Sequence, residues 1–374
     1  MKIVKFILRL ALGAGLLAYL IHEHERSFDS VASQLLHIPL TCIVGAILLD
    51  LAGQTLCAWR WSLLTAKGGR PIGMNRTFPI YFSGMFFNIC LPTAIGGDVI
   101  KTVGLGRQMG SKSAAFASVF MDRNVGLAAL LTLGLFSSLM IQTTLQVTVR
   151  HQLLTVHLWW LFLILAAGYV LANVILFGDT LFNWVDRIVL RLAPQKVREK
   201  VEKLHFSLQL YRQSVTGYLG VFTLSMLYQI MECGSVWLLG HGLGLELPFW
   251  VFATMVTFQA IAGLLPITIN NIGVREGIFC AILLGQTAAS GLSEDKVKDE
   301  GMALALAYLL LIIFSGLVGG IVYLVSGLPK PSQMEEDAEK NSGVMPQVEP
   351  EPKLKVQGDA HLVAAPESME QIAK

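Results

Sequence analysis

Long apolar runs broken by short charged stretches dominate this chain. Residues 38–58, 113–142, 156–178, 213–235 and 302–327 are each long enough to cross a hydrocarbon core roughly 30 Å thick. A shorter run, residues 4–20, follows Lys2, Lys5 and Arg9 and lacks a clean small-residue cleavage site, so it is predicted as a first crossing. Two further apolar stretches are interrupted. Residues 77–98 contain Asn88, Pro92 and Gly96-Gly97, and residues 249–288 contain Pro266, Asn270-Asn271 and Gly273. Each is predicted as a hairpin that enters and leaves on one side. Irregular backbone is tolerated at that depth where it is buried in protein or lines a polar cavity.

The predicted fold class is all-α: a polytopic transmembrane helical bundle with six crossings and two re-entrant or broken helical hairpins. One hairpin follows the second crossing and the other follows the fifth. Broken segments at corresponding places in two halves point to inverted repeats with a site between them. An eight-crossing bundle satisfies the same end positions. Basic residues assign the sides. Lys2, Lys5 and Arg9 put the N-terminus in the cytoplasm. Arg60, Lys67, Arg70 and Arg76 form one inner cluster, and Lys101, Arg107 and Lys112 the next. The stretch from Arg187 to Arg212 is a strongly basic inner loop. Residues 21–36 and the region of Arg150 and His151 then lie outside, and both termini are cytoplasmic. A helical bundle of this kind belongs in a cell inner (cytoplasmic) membrane.

Composition agrees. Hydrophobic residues make up 54% of the 374 positions and charged residues 14%, well below the roughly 25% of a soluble domain. Residues 1–328 form the membrane domain. Residues 329–374 carry nine acidic and five basic residues, several prolines and no long apolar run, and are predicted as a disordered cytoplasmic tail. The five cysteines fall in or beside apolar segments with no CxxC pair, so neither a disulfide framework nor structural zinc is expected. No P-loop, dinucleotide fingerprint or Ser–His–Asp arrangement is visible. No cofactor, metal or nucleic-acid partner is expected; protein partners are not specified.

Charge at membrane depth is costly and marks candidate sites. In the first hairpin these are Gly96, Gly97, Asp98 and Lys101. Paired glycines permit close backbone approach; Asp98 can cap the following helix, and the helix start can face an anionic head group. The plainer reading is a capped turn at the membrane surface. Asp122 and Arg123 form the second cluster. Adjacent residues do not share a helix face, so each seeks its own partner: Lys101 or Arg107 for Asp122, Asp98 or Glu276 for Arg123. A structural ion-pair network is the alternative. Asn270, Asn271, Gly273, Arg275 and Glu276 form the third and strongest segment. The planar fork of Arg275 suits phosphate, with Glu276 holding it or balancing its charge. Secondary candidates are Asp50 and Gln54, four apart on one helix face, and Gln229 with Glu232, the latter a candidate proton or cation site.

Taken together, Trp59-Arg60-Trp61, Pro92…Gly96-Gly97-Asp98, Asp122-Arg123 with Gly126, and Pro266…Gly273-Val274-Arg275-Glu276-Gly277 resemble the transmembrane domain of lysylphosphatidylglycerol synthases over roughly residues 5–325. The resemblance implies lipid handling: movement of phospholipid, with anionic head groups as partners, without the soluble synthase domain that makes the aminoacylated lipid. The expectation is a flippase-like lipid transporter rather than an enzyme. An integral-membrane transferase acting on a lipid-linked substrate, or a non-catalytic partner protein working through its acidic tail, are the alternatives.

Overall fold

The computed structural model describes residues 27–67, 71–90, 96–110, 112–141, 144–149, 152–178, 211, 215–265, 268, 271–287, 293–326 and 328. The expected first crossing at 4–20, most of the basic loop and the acidic tail lie outside the described residues.

Among the described residues the elements run α1 (Ser27–His37), α2 (Leu40–Lys67), α3 (Met74–Cys90), α4 (Gly96–Met109), α5 (Lys112–Ile141), β1 (Thr144–Val149), β2 (Gln152–His157), α6 (Leu158–Phe177), α7 (Val215–Gly242), α8 (Phe249–Ala262), α9 (Val274–Thr287) and α10 (Glu294–Val325). Five helices are long and apolar enough to span a membrane: α2, α5, α6, α7 and α10. They coincide with the five long apolar runs. The architecture is a polytopic helical bundle.

Local chemistry sets several boundaries. Pro39 stands just before α2, and its carbonyl accepts from the Cys42 and Ile43 N–H groups. Proline fits a helix start, where its missing N–H has no partner to lose. Pro248 likewise stands before α8. Glu294 and Asp295 occupy the first turn of α10, where negative charge meets the helix dipole.

Two predictions are refined. The segment 21–36, expected as an outer loop, includes the short helix α1, which packs against α10. The loop expected between α5 and α6 forms an antiparallel β-hairpin, with Thr144 opposite His157 and Val149 opposite Gln152. It is a small departure from an all-helical chain.

The two interrupted stretches form helical hairpins. At 1.5 Å per residue, α4, α8 and α9 are each about 21 Å long and α3 about 26 Å, all short of a full crossing. The first hairpin is longer than the predicted 77–98. It opens at Met74, and α4 runs on to Met109. Its arms are antiparallel: a Cβ on Gly104 would touch Ile80, one on Gly84 would meet Lys101, and one on Gly97 would overlap the Gly84 carbonyl.

Packing follows a repeat. Helices α2, α3–α4 and α5 correspond to α7, α8–α9 and α10. Helix α2 packs against α7, α3 against α10, and α8 against α5, so each hairpin's first arm rests on the last helix of the other half. The α2–α7 pair is antiparallel: Gly242 meets Ile38 and Cys42, Gly234 meets Leu49, and Gly53 meets Tyr228. Antiparallel packing of corresponding helices is the geometry of an inverted repeat. Small residues permit the close α3–α10 approach. Cβ atoms on Gly316, Gly319 and Gly320 would collide with Ile89, the Phe82 carbonyl and Phe86. In lipid such close packing supplies much of the association energy between helices.

Candidate functional site

A cavity of about 1050 Å³ lies between the two halves. The first hairpin contributes Tyr81, Asn88 and Lys101, and the second contributes Gln259 and Leu264. Both broken regions therefore reach one space. Helix α6 forms a flank through Gly168, Tyr169 and Asn173, while Val170, Leu171 and Val174 on the same helix are exposed in the manner of a lipid-facing surface.

Cations gather at one end of this cavity. Arg60 of α2 is 4% exposed. Its Nε and Nη2 donate to Asp122 Oδ1 of α5 at 2.9 and 2.6 Å, and its Nη1 donates to Ser225 Oγ of α7 at 2.8 Å. One guanidinium thus ties three helices together, in a charge-assisted arrangement stronger than neutral hydrogen bonds. The next residue, Arg123, turns to another partner. Its Nε and Nη2 bond the Asp98 carboxylate at 2.9–3.2 Å. Arg123 remains 54% exposed and lines the cavity. Lys101 is buried, with Nζ 3.6 Å from the centre of the Tyr81 ring, a cation–π contact.

Two of these placements correct sequence expectations. Asp122 pairs with Arg60, not with Lys101 or Arg107. Arg60, counted only in a basic cluster that sets topology, is buried within the protein, as is Lys101, counted both in such a cluster and among the candidate site residues. The cause is tertiary: Asp122 and the Tyr81 ring offer each cation a partner that the linear pattern does not show. For Arg123, Asp98 is the partner present of the two considered.

Carboxylates gather further along. Asp50 lies about 15 Å from Arg60 along α2. It accepts from Ser315 Oγ of α10 and from Gln54 Nε2 at 3.4 Å. Glu232 of α7 accepts from the Tyr308 hydroxyl at 2.7 Å. Asp50, Gln54, Gln229 and Glu232, the secondary candidates, all line the cavity directly.

The segment ranked first by sequence stands behind the wall. Glu276, fully buried, accepts the Gly273 N–H at 2.6 Å, the reach-back half of a capping box. Gly273 has φ 85° and Asn271 φ 58°, so this turn needs left-handed backbone. Asn271 Nδ2 donates to the Gln259 carbonyl at 2.8 Å and pins the break to α8. The first hairpin has its counterpart: Asn88 Oδ1 accepts the Gly97 N–H at 2.8 Å. Gly96 and Gly97 are buried. Arg275 is 2% exposed, and its guanidinium carbon lies 5.5 Å from the centre of the Tyr308 ring. Neither Arg275 nor Glu276 is among the residues lining the cavity. Asn270 lies outside the described residues. The lining residues that sequence reasoning passed over include Arg60, Tyr81, Tyr228 and Gln259; Arg60 follows the apolar run 38–58, and no local signal marks it as buried.

These features define an integral, multi-pass membrane protein with a charged internal cavity between two broken hairpins. The chain belongs to the family described as the lysylphosphatidylglycerol synthase TM region, whose model matches residues 6–311. It is also 22% identical, over 256 residues, to a UPF0104 membrane protein of Methanothermobacter thermautotrophicus, an alignment covering 63% of this chain and 73% of the relative.

Proposed function

We propose that this protein translocates a phospholipid or related phosphate-bearing lipid across a cytoplasmic membrane, with its head group passing through the cavity. The observation that carries this reading is Arg123. Asp98 holds its Nε and Nη2 from behind, while the side chain stays more than half exposed on the cavity wall. A guanidinium fixed along one edge and open along another is suited to an anionic oxygen. Lys101 places further positive charge beside it, while the Arg60–Asp122 pair in the same wall is neutral overall.

The acyl chains need no polar path. They can remain at the apolar flank of α6 and beside Leu264 and Leu265 at the second hairpin, which are 61% and 60% exposed. Asp98, Gly97 and Asn88 hold the first hairpin, and Asn271, Gly273 and Glu276 hold the second, so these residues shape the path rather than touch the head group. Arg275 acts on it through Tyr308. The basic residues near Lys2 and between Arg187 and Arg212 support cytoplasmic termini.

The test is substrate selectivity in reconstituted vesicles. Purified protein should speed leaflet exchange of a fluorescent phospholipid and leave an equally labelled diacylglycerol-based glycolipid, which lacks phosphate, at the protein-free rate. Equal acceleration of both lipids would falsify phosphate recognition.

A further inference from the structure

We propose that Asp50 and Glu232 form a proton-binding pair that couples lipid movement to a proton gradient. The inference rests on the translocation reading above and adds its energy source.

The starting point is charge balance. Asp122 and Asp98 each meet an arginine. Asp50 and Glu232 line the same cavity, yet among the described residues neither makes a salt bridge. Their hydrogen-bond donors are neutral groups: Ser315 and Gln54 for Asp50, Tyr308 and Tyr228 for Glu232. Two carboxylates at membrane depth without a cation are costly, and such groups in transporters mark ion or proton paths. Asp50 lies about 15 Å from the Leu40 end of α2, and Glu232 about 15 Å from the adjoining Gly242 end of α7. Both therefore sit at one depth, close to the middle of a bilayer core.

A second observation points to the ligand. Gln229, one turn before Glu232 on α7, is 6% exposed and lines the cavity, and its Oε1 is buried with no hydrogen-bond donor among the described residues. An unfilled buried acceptor is unfavourable. A carboxylate can only accept, whereas a protonated carboxyl group donates. A proton held by the pair supplies both the missing positive charge and a donor for this region. A bound metal ion is less well served: among the described residues no group of three or more His, Cys, Asp or Glu side chains could hold one.

The surroundings also suit proton passage. Gln54 Nε2 lies 3.5 Å from the Tyr228 hydroxyl, at the limit of a hydrogen bond, and so links Asp50 towards α7. Tyr308 joins α10 to Glu232. The other titratable groups nearby are Cys57 on α2 and Cys233 on α7, with Arg275 of α9 behind the Tyr308 ring. Further along the cavity stand Arg60, Tyr81 and Lys101, followed by Asp122 and Arg123 of α5. The step itself breaks no covalent bond in the lipid. A proton enters from one aqueous face, resides on a carboxylate oxygen and leaves to the other face while the phosphate-bearing head group moves.

Two measurements test this, and the first does not depend on transport. Infrared difference spectra of purified protein at neutral pH should contain the carbonyl band of a protonated carboxyl group, and Asp50→Asn/Glu232→Gln should lack it. The band should be the same in sodium and in choline buffer. Its absence from the wild type, its persistence in the double variant, or its loss on adding sodium overturns the proton assignment. The second uses proteoliposomes with an imposed pH gradient. One pH unit should shift the leaflet distribution of fluorescent phospholipid by about tenfold per coupled proton, and the double variant should show no such shift. Lipid exchange by the wild type that ignores the gradient overturns the coupling and leaves translocation standing. A protonated-carboxyl band without any lipid movement leaves the proton site standing and removes translocation.

Discussion

Arg60 and Asp122 lie 62 residues apart in sequence and form a buried ion pair at 2.6 Å in the cavity wall, while Arg123, adjacent to Asp122, faces away to Asp98. One turn of α5 thus fastens the first half's helices to one another and presents a second guanidinium to the cavity. Removing one partner of the buried pair strands the other charge. Asp122→Ala is expected to destabilise the protein by about 3–5 kcal/mol. Arg60→Met combined with Asp122→Leu is expected to cost much less, because neither charge is left alone. Thermal unfolding in a fixed detergent distinguishes them; equal losses would show that the pair is not the source of the effect.

Close contact between α3 and α10 depends on absent side chains. Gly319→Ala places a methyl group against the Phe82 carbonyl, and the two helices must part. The expected cost is about 1–3 kcal/mol, seen as a lower melting temperature. Gly220→Ala, where a Cβ meets nothing within 4 Å among the described residues, is the control and should leave stability unchanged or slightly raised.

Hairpin topology is open to chemical labelling. In a background with the five native cysteines replaced, Asn75→Cys before the first hairpin's tip and Gln108→Cys after it should react with an impermeant reagent from the same side. Glu246→Cys and Glu294→Cys, flanking the second hairpin, should both react from the opposite side. Labelling of Asn75→Cys and Gln108→Cys from different sides would mean that this region makes a full crossing.

Much of this architecture is visible in local composition. A long apolar run must be a helix in lipid, because its backbone groups find no other partners there. Asn88, Gly96-Gly97 and Asn271, Gly273 mark the breaks because asparagine and glycine supply the side-chain bonds and backbone angles that a reversal needs. The pairing of Arg60 with Asp122 has no local signature: nothing near Arg60 in the chain distinguishes an interfacial arginine from one reaching across to α5. Arg275 illustrates the converse. Its neighbours show that it is held inside the membrane, yet its separation from the cavity by Tyr308 is a matter of packing between α9 and α10. The carboxylates of α2 and α7 meet the same space only because those helices run antiparallel.

Tyr308 connects that hidden segment to the cavity, through its ring to Arg275 and its hydroxyl to Glu232. Tyr308→Phe keeps the ring and removes the hydroxyl. It should cost about 1–2 kcal/mol of stability and weaken the response of lipid movement to a pH gradient while exchange at equal pH persists. Arg275→Ala should lower both. Wild-type exchange and a wild-type pH response in a folded Arg275→Ala protein would separate Arg275 from any action through Tyr308.

The central claim, a phosphate-bearing head group passing Arg123, is tested most directly by leaflet-exchange rates of a fluorescent phospholipid in vesicles containing wild type, Arg123→Ala or Gly220→Ala. Only preparations with wild-type melting behaviour should be compared. The predicted result is a fall of about tenfold or more for Arg123→Ala, the loss of one charge-assisted contact, with Gly220→Ala at the wild-type rate. A folded Arg123→Ala protein that moves phospholipid as fast as wild type contradicts the account.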